Sequence, residues 1–121
     1  MRQSTWLPVC NADDLIAGAG VCVLIDQQEI ALFFEPIKAQ VYAVSNLDPM
    51  RHVESVSRGL MGGSSDQTYV ATPLLKHRYE LATGLSLDGG DRHLSCWPAR
   101  ILSSVVEVLY SPGSTTEASY G

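Results

Sequence analysis

The sequence predicts an all-β domain, mostly antiparallel, assembled as a sandwich of many short strands. Apolar residues gather in brief runs rich in branched and aromatic side chains, at residues 21–25, 29–34, 41–44 and 105–110, and such side chains suit a pleated, half-buried surface. Clusters of Gly, Pro, Asn, Asp and Ser break the runs at short intervals. No stretch longer than a turn or two carries the helical period.

Taken in order, residues 6–10 alternate aromatic and apolar side chains around Pro8, which fits a first strand at a sheet edge, where a missing N–H donor is tolerated. Residues 11–14 turn the chain, and 15–20, ending in glycine, form a loop. Residues 21–25 and 29–34, separated by Asp26, Gln27 and Gln28, form a hairpin. Both runs are nearly continuous in apolar residues, so both are expected to find cover on two faces. Residues 41–44 make the next strand. Residues 57–60 read as a further short strand, and 61–66, with two glycines and two serines, as a flexible polar connection. Residues 69–71 and 78–81 are partner strands. Residues 85–91 are turn chemistry, 94–97 and 99–102 a strand bent at Pro98, and 105–110 the closing strand. The domain therefore spans 5–110, and 111–121, small and polar, reads as a flexible tail.

The totals set bounds. With 121 residues the chain is one domain, large enough to bury a core without staples. At 45% hydrophobic and 17% charged it is far from the profile of disorder. A net charge of -5 and a pI near 4.9 argue against nucleic acid or an anionic membrane as partner. Cys10, Cys22 and Cys96 are odd in number and widely spaced, with no C-x-x-C pair, and read as small buried side chains in a reducing compartment. The N-terminus is too short and polar for a signal peptide, and no apolar run reaches membrane length. The expected location is the cytoplasm.

Two loops of similar make stand out. Asp48-Pro49-Met50 follows one short apolar strand, and Thr72-Pro73-Leu74-Leu75 follows another. In each, proline fixes its own φ and pushes the preceding residue toward extended geometry. Tyr79-Glu80-Leu81-Ala82-Thr83-Gly84 then closes the second hairpin. Together these motifs resemble the Rieske family, in which Cys-Pro-x-His loops hold a two-iron cluster with two Cys on one iron and two His on the other.

Laid onto this chain, the four ligand positions fall on Asp48, Met50, Thr72 and Leu75, none of them Cys or His. That combination resembles the family of small subunits of cytoplasmic NAD(P)H-dependent nitrite reductases, over roughly Trp6 to Tyr110. The resemblance implies a Rieske-like antiparallel sandwich with a small two-loop subdomain and no iron-sulfur cluster. It implies no catalytic residue in this chain and, as partner, a large catalytic subunit carrying FAD, sirohaem and a [4Fe-4S] cluster that reduces nitrite to ammonium in nitrate assimilation. Two other readings stay open: a Rieske-type electron-transfer ferredoxin, and a free-standing binding module.

The residues themselves support little catalysis. His52 and His77, with Asp48, could be imagined as an imidazole-carboxylate metal site, but their spacing makes no motif and both read as surface residues. The serines lie in no G-x-S-x-G context, and residues 61–65 lack the Lys-Ser/Thr of a phosphate loop. Met50 and Leu75 read as apolar fillers where a metal would otherwise sit, with Asp48 and Thr72 satisfying loop backbone. Basic residues gather near the loops of this acidic chain. Arg58, Leu74, Lys76, His77 and Arg78 are the candidate contacts to a partner.

Overall fold

A computed structural model describes residues 4–64 and 66–111. Along the described residues run β1 (Thr5–Asn11), β2 (Gly20–Ile25), β3 (Gln28–Glu35), β4 (Gln40–Ser45), β5 (Leu60–Gly63), β6 (Thr68–Ala71), β7 (Arg78–Glu80), β8 (Cys96–Trp97), β9 (Ala99–Leu102) and β10 (Val105–Tyr110). Short 3-10 turns occupy Ala12–Asp14 and Val56–Arg58. Named strand neighbours are antiparallel throughout, in three sheets ordered β1-β10-β9, β2-β3-β4-β8 and β5-β6-β7. This is the all-β sandwich that the sequence predicts, with the small third sheet as the added subdomain.

The middle sheet separates two cores because its strands alternate with period two. Ile30 and Leu32 of β3, with Val41 and Ala43 of β4, pack toward Val106, Val108 and Tyr110. Ala31 and Phe33, with Val44, pack the other way, against Val56, Val70, Tyr79, Leu81 and Leu94. Four consecutive residues of β3, Ile30 to Phe33, are fully buried, as the continuous apolar run predicts. β2 differs from expectation. It is the edge of its sheet, and the 3-10 turn covers it only at its Gly20 end, so Cys22 is exposed and Leu24 is 67% exposed.

Turn chemistry explains the connections. Asp26 and Gln27 join β2 to β3, and Ser103 and Ser104 join β9 to β10, each pair with both φ values positive. These are the two-residue turns whose twist matches the flanking strands, here made without glycine. Pro8 lies in an edge strand, beside a register shift before Cys10. At Pro98 one nearly continuous strand passes from the middle sheet to the first: Trp97 pairs with Ala43, and Ala99 with Val108.

One stretch departs from expectation. Residues 57–59 are not strand: Val56–Arg58 is a 3-10 turn, and the strand is β5, which begins at Leu60 and runs through Gly63 into the stretch that reads as a flexible connection. Beyond Ser111 the expected tail lies outside the described residues. No helix among the described residues is long and apolar enough to cross a membrane.

Candidate functional site

β4 ends at Ser45 and hands the chain to Asn46, which is 2% exposed and bonded in four directions. Its N–H donates to the Glu29 carbonyl, and its own carbonyl accepts the N–H groups of Ser55 and Val56. Its side chain donates Nδ2 to Glu29 Oε1 at 2.9 Å and accepts the Ser57 N–H at 2.6 Å. Loop 1 (residues 46–53) is thereby clamped at its base.

Inside that clamp Asp48 is fully buried. Its N–H donates to the Val53 carbonyl at 2.8 Å and its carbonyl accepts the His52 N–H at 2.8 Å. Loop 2 (residues 72–77) repeats the pattern around Thr72, which is 1% exposed: Thr72 N–H to His77 O at 3.0 Å, and Lys76 N–H to Thr72 O at 2.9 Å. Each leading side chain also accepts loop backbone. Asp48 Oδ1 takes the N–H groups of Met50 and Arg51, at 2.9 and 3.3 Å, and Thr72 Oγ1 takes that of His77 at 3.1 Å. The pattern bends both loops into the left-handed region at the same place, His52 with φ 57° and Lys76 with φ 55°, a conformation that costs a non-glycine residue roughly 1 kcal/mol. Leu74, at φ 67°, adds a third.

A third loop (residues 84–94) backs the other two. Arg78 grips Asp88 at 2.6 Å and lies over the Tyr69 ring, His77 Nε2 meets Ser86 Oγ at 2.6 Å, and Arg92 Nε donates to the Pro49 carbonyl at 3.2 Å. Arg78 holds the Asp88 carboxyl down at about 2. The loop starts at Gly84, φ 79°, where a Cβ would run into the Leu94 carbonyl. Beneath all three lies Tyr79, fully buried, with the His77 ring against it at 4.8 Å. Burial raises its hydroxyl pKa first and the Asp48 charge raises it further, while Arg92 pulls the other way. Asp48, Thr72, Tyr79 and Arg92 thus belong to one end of the molecule.

Of the residues singled out from sequence, Asp48 and Thr72 do satisfy loop backbone. Met50 and Leu75 do not act as fillers, being 39% and 52% exposed; the inward places are taken by Asp48 and Thr72. Leu74, 76% exposed, and Lys76 project from loop 2. His77 and Arg78 are half-buried and engaged with Ser86 and Asp88. Arg58 is exposed on the 3-10 turn, which packs against β2 and β3. Sequence reasoning missed the reach of Asn46, and it missed Arg92 altogether. Tyr79 carried a signal, since it opens the signature that closes loop 2.

The described residues offer little to a metal. No group of three or more His, Cys, Asp or Glu among them could hold one. Burial raises the pKa of all three thiols, to about 11 for Cys96 and, with the help of Glu29, for Cys22.

Comparison with known proteins agrees with this architecture. Residues 5–109 match the model of the Rieske-like [2Fe-2S] domain. The nitrite reductase (NADH) small subunit of Salmonella typhimurium is 34% identical over 106 residues, 88% of this chain and 98% of that protein. The NMR structure of the E. coli protein NirD superposes with a TM-score of 0.78 at 33% identity, covering 92% of this chain and 99% of that one. A nitrite reductase [NAD(P)H] large subunit from Klebsiella oxytoca contains a region 34% identical over 103 residues, which is 85% of this chain but 11% of that protein. The chemistry at the ligand positions does not fit the two-iron cluster of the domain family. A cluster takes thiolates and imidazoles, whereas Asp48 and Thr72 spend their side chains on loop amides and Met50 and Leu75 carry no ligand nitrogen or thiolate.

Proposed function

Because the chain belongs to the family of nitrite reductase small subunits within the Rieske-like domains, we propose that it is the non-catalytic small subunit of a cytoplasmic enzyme that reduces nitrite to ammonium with NADH or NADPH. In this reading the flavin, sirohaem and [4Fe-4S] chemistry belongs to the large subunit, and this chain holds no cluster. The observation that carries the partnership is the Klebsiella oxytoca protein, in which a domain of this kind lies within a chain described as the large subunit. A module that occurs covalently joined to the large subunit in one organism is suited to bind it as a separate chain in another.

The contact is proposed at the two-loop end. Leu74, Leu75, Met50 and Val53 are exposed there, and exposed apolar side chains gathered on loops mark contact surfaces. Lys76 on loop 2 and Arg58 on the 3-10 turn are exposed and supply positive charge in a chain of net charge -5, which steers approach to an acidic surface. Because Asp48 and Thr72 already fix the loop backbone, little entropy remains to be lost on docking. Lys76→Glu combined with Leu74→Asp should abolish co-purification with the large subunit and lower nitrite turnover. Unchanged association would refute the placement.

The family model's [2Fe-2S] description favours one competing reading, an electron-transfer ferredoxin. Protein made anaerobically with excess iron separates the two: the small-subunit reading expects no visible absorbance and no stoichiometric iron or sulfide, and a coloured cluster would overturn it.

A further inference from the structure

Two buried polar side-chain atoms among the described residues have no hydrogen-bond partner, Asp48 Oδ2 and the Tyr79 hydroxyl oxygen. Both side chains are fully buried, one on each loop's hairpin. A carboxylate oxygen and a phenol left unsatisfied in an apolar interior are each expensive. The two lie at one end, since Tyr79 pairs with Ser86 of the third loop and Arg92 of that loop bonds the Pro49 carbonyl next to Asp48, and a shared partner would satisfy both; the influence of the Asp48 charge on Tyr79 agrees with this. Each also anchors its own loop. Asp48 holds loop 1 through its other oxygen, and Tyr79 lies on β7, which leaves loop 2, with the His77 ring tilted against its own.

We propose that Asp48 Oδ2 and the Tyr79 hydroxyl are joined through one internal water, and that this polar strut ties loop 1 to loop 2 in the shape the partner reads. The chemistry suits a water. Tyr79 O–H donates to it, and it donates to the carboxylate, which can only accept. Buried waters of this kind satisfy groups that the chain leaves unpaired and are costly to remove. A cluster would tie two such loops with metal bonds; here a carboxylate, a phenol and a solvent molecule perform the same mechanical task. Arg92 closes the arrangement from outside, with Nε on the Pro49 carbonyl. Asp48 and Tyr79 are positioning residues: they touch no reactant and act through the loops they hold. The docking role rests on the small-subunit reading above; the strut itself does not.

The test separates the two. A high-resolution crystal structure of the chain should show one ordered water within roughly 2.7–3.0 Å of both atoms, and a direct Tyr79–Asp48 bond or two unpartnered atoms would overturn the bridge. Tyr79→Phe keeps the ring and removes the hydroxyl. It should speed amide exchange at Met50, His52 and Lys76 by about tenfold, one hydrogen bond's worth, while the β3 amides keep their protection. Asp48→Asn keeps an oxygen for the Met50 and Arg51 amides but sets an N–H donor where the water donates, so it should also speed loop exchange, and exchange unchanged from the parent would overturn the proposed bond from the water. Unchanged loop exchange in Tyr79→Phe overturns the strut. With the large subunit present, Tyr79→Phe should weaken association by a similar factor. If it does not while Lys76→Glu does, the link from strut to docking is wrong. If both leave association intact while the loops loosen, the strut stands and the docking assignment falls.

Discussion

Replacing Asn46 by alanine should cost more stability than any exposed substitution in the molecule, and the cost can be worked from its contacts. The side chain gives up a bond to the Glu29 carboxylate at 2.9 Å and strands the Ser57 N–H that it accepts at 2.6 Å. A bond to a charged group contributes roughly 1.5–3 kcal/mol and a neutral one about 1 kcal/mol. The stranded donor, at the edge of the second core, turns the smaller loss into the larger kind, so the sum is about 3–6 kcal/mol. For a domain of this size that lowers Tm by roughly 10–30 °C, and in urea the midpoint falls with m unchanged. Asn46→Asp is the sharper probe. It keeps an oxygen for Ser57 but sets a carboxylate against Glu29, whose charge already helps burial to raise the pKa of Glu54. Two carboxylates forced together raise the folded-state pKa of one of them above its unfolded value. Stability is then lost as pH rises through that raised pKa and is regained as pH falls below it. Urea midpoints measured at about pH 5 and about pH 8 should show Asn46→Asp closer to the parent at the lower pH. A loss under about 1 kcal/mol for Asn46→Ala, or an Asp variant that fares worse in acid, would refute the clamp.

Asp88 sits at about 2 because of Arg78, below its unfolded value, so its contribution is present above that unfolded value and fades as pH falls toward about 2. Asp88→Asn should therefore flatten the acid limb of the stability curve in that window and nowhere else, and added salt should shrink the difference because the pair is exposed. Gly84→Ala should destabilise by well over ~1 kcal/mol, since a positive φ and the Leu94 carbonyl both oppose a Cβ; thermal melting checks it. The thiols at about 11 leave only about one part in 10⁴ as thiolate near neutrality, so Cys22, though exposed, should alkylate on the order of a hundredfold slower in the native protein than when unfolded. Glu29→Gln should speed Cys22, and mass spectrometry of iodoacetamide-treated protein reads both.

Most of the fold was legible because most of it is local. Pro8, Pro98 and the hairpin at residues 26–27 act on their own neighbours, and β3 declares its two-sided burial by four consecutive apolar residues. What failed to show depends on residues far apart. β5 hides behind Gly62 and Gly63, which read as flexibility; in the fold Gly62 is bare because a Cβ there would stand 2.7 Å from the Tyr69 ring, so the glycine permits close pairing. Asn46 has the composition of a turn residue, yet its side chain reaches Glu29 and Ser57, and nothing local distinguishes the two uses. The same limit governed the four ligand positions. Chemistry alone treats Met50 and Leu75 as the inward pair, since they are apolar; the backbone decides otherwise, because the leading residue of each loop is the one whose side chain can reach the amides ahead of it. Asp48 and Thr72 therefore go in as fasteners, and Met50 and Leu75 go out to solvent. Two hairpins whose ligand positions hold neither Cys nor His need an internal fastening and leave an external apolar face, and one division of those positions accounts for both.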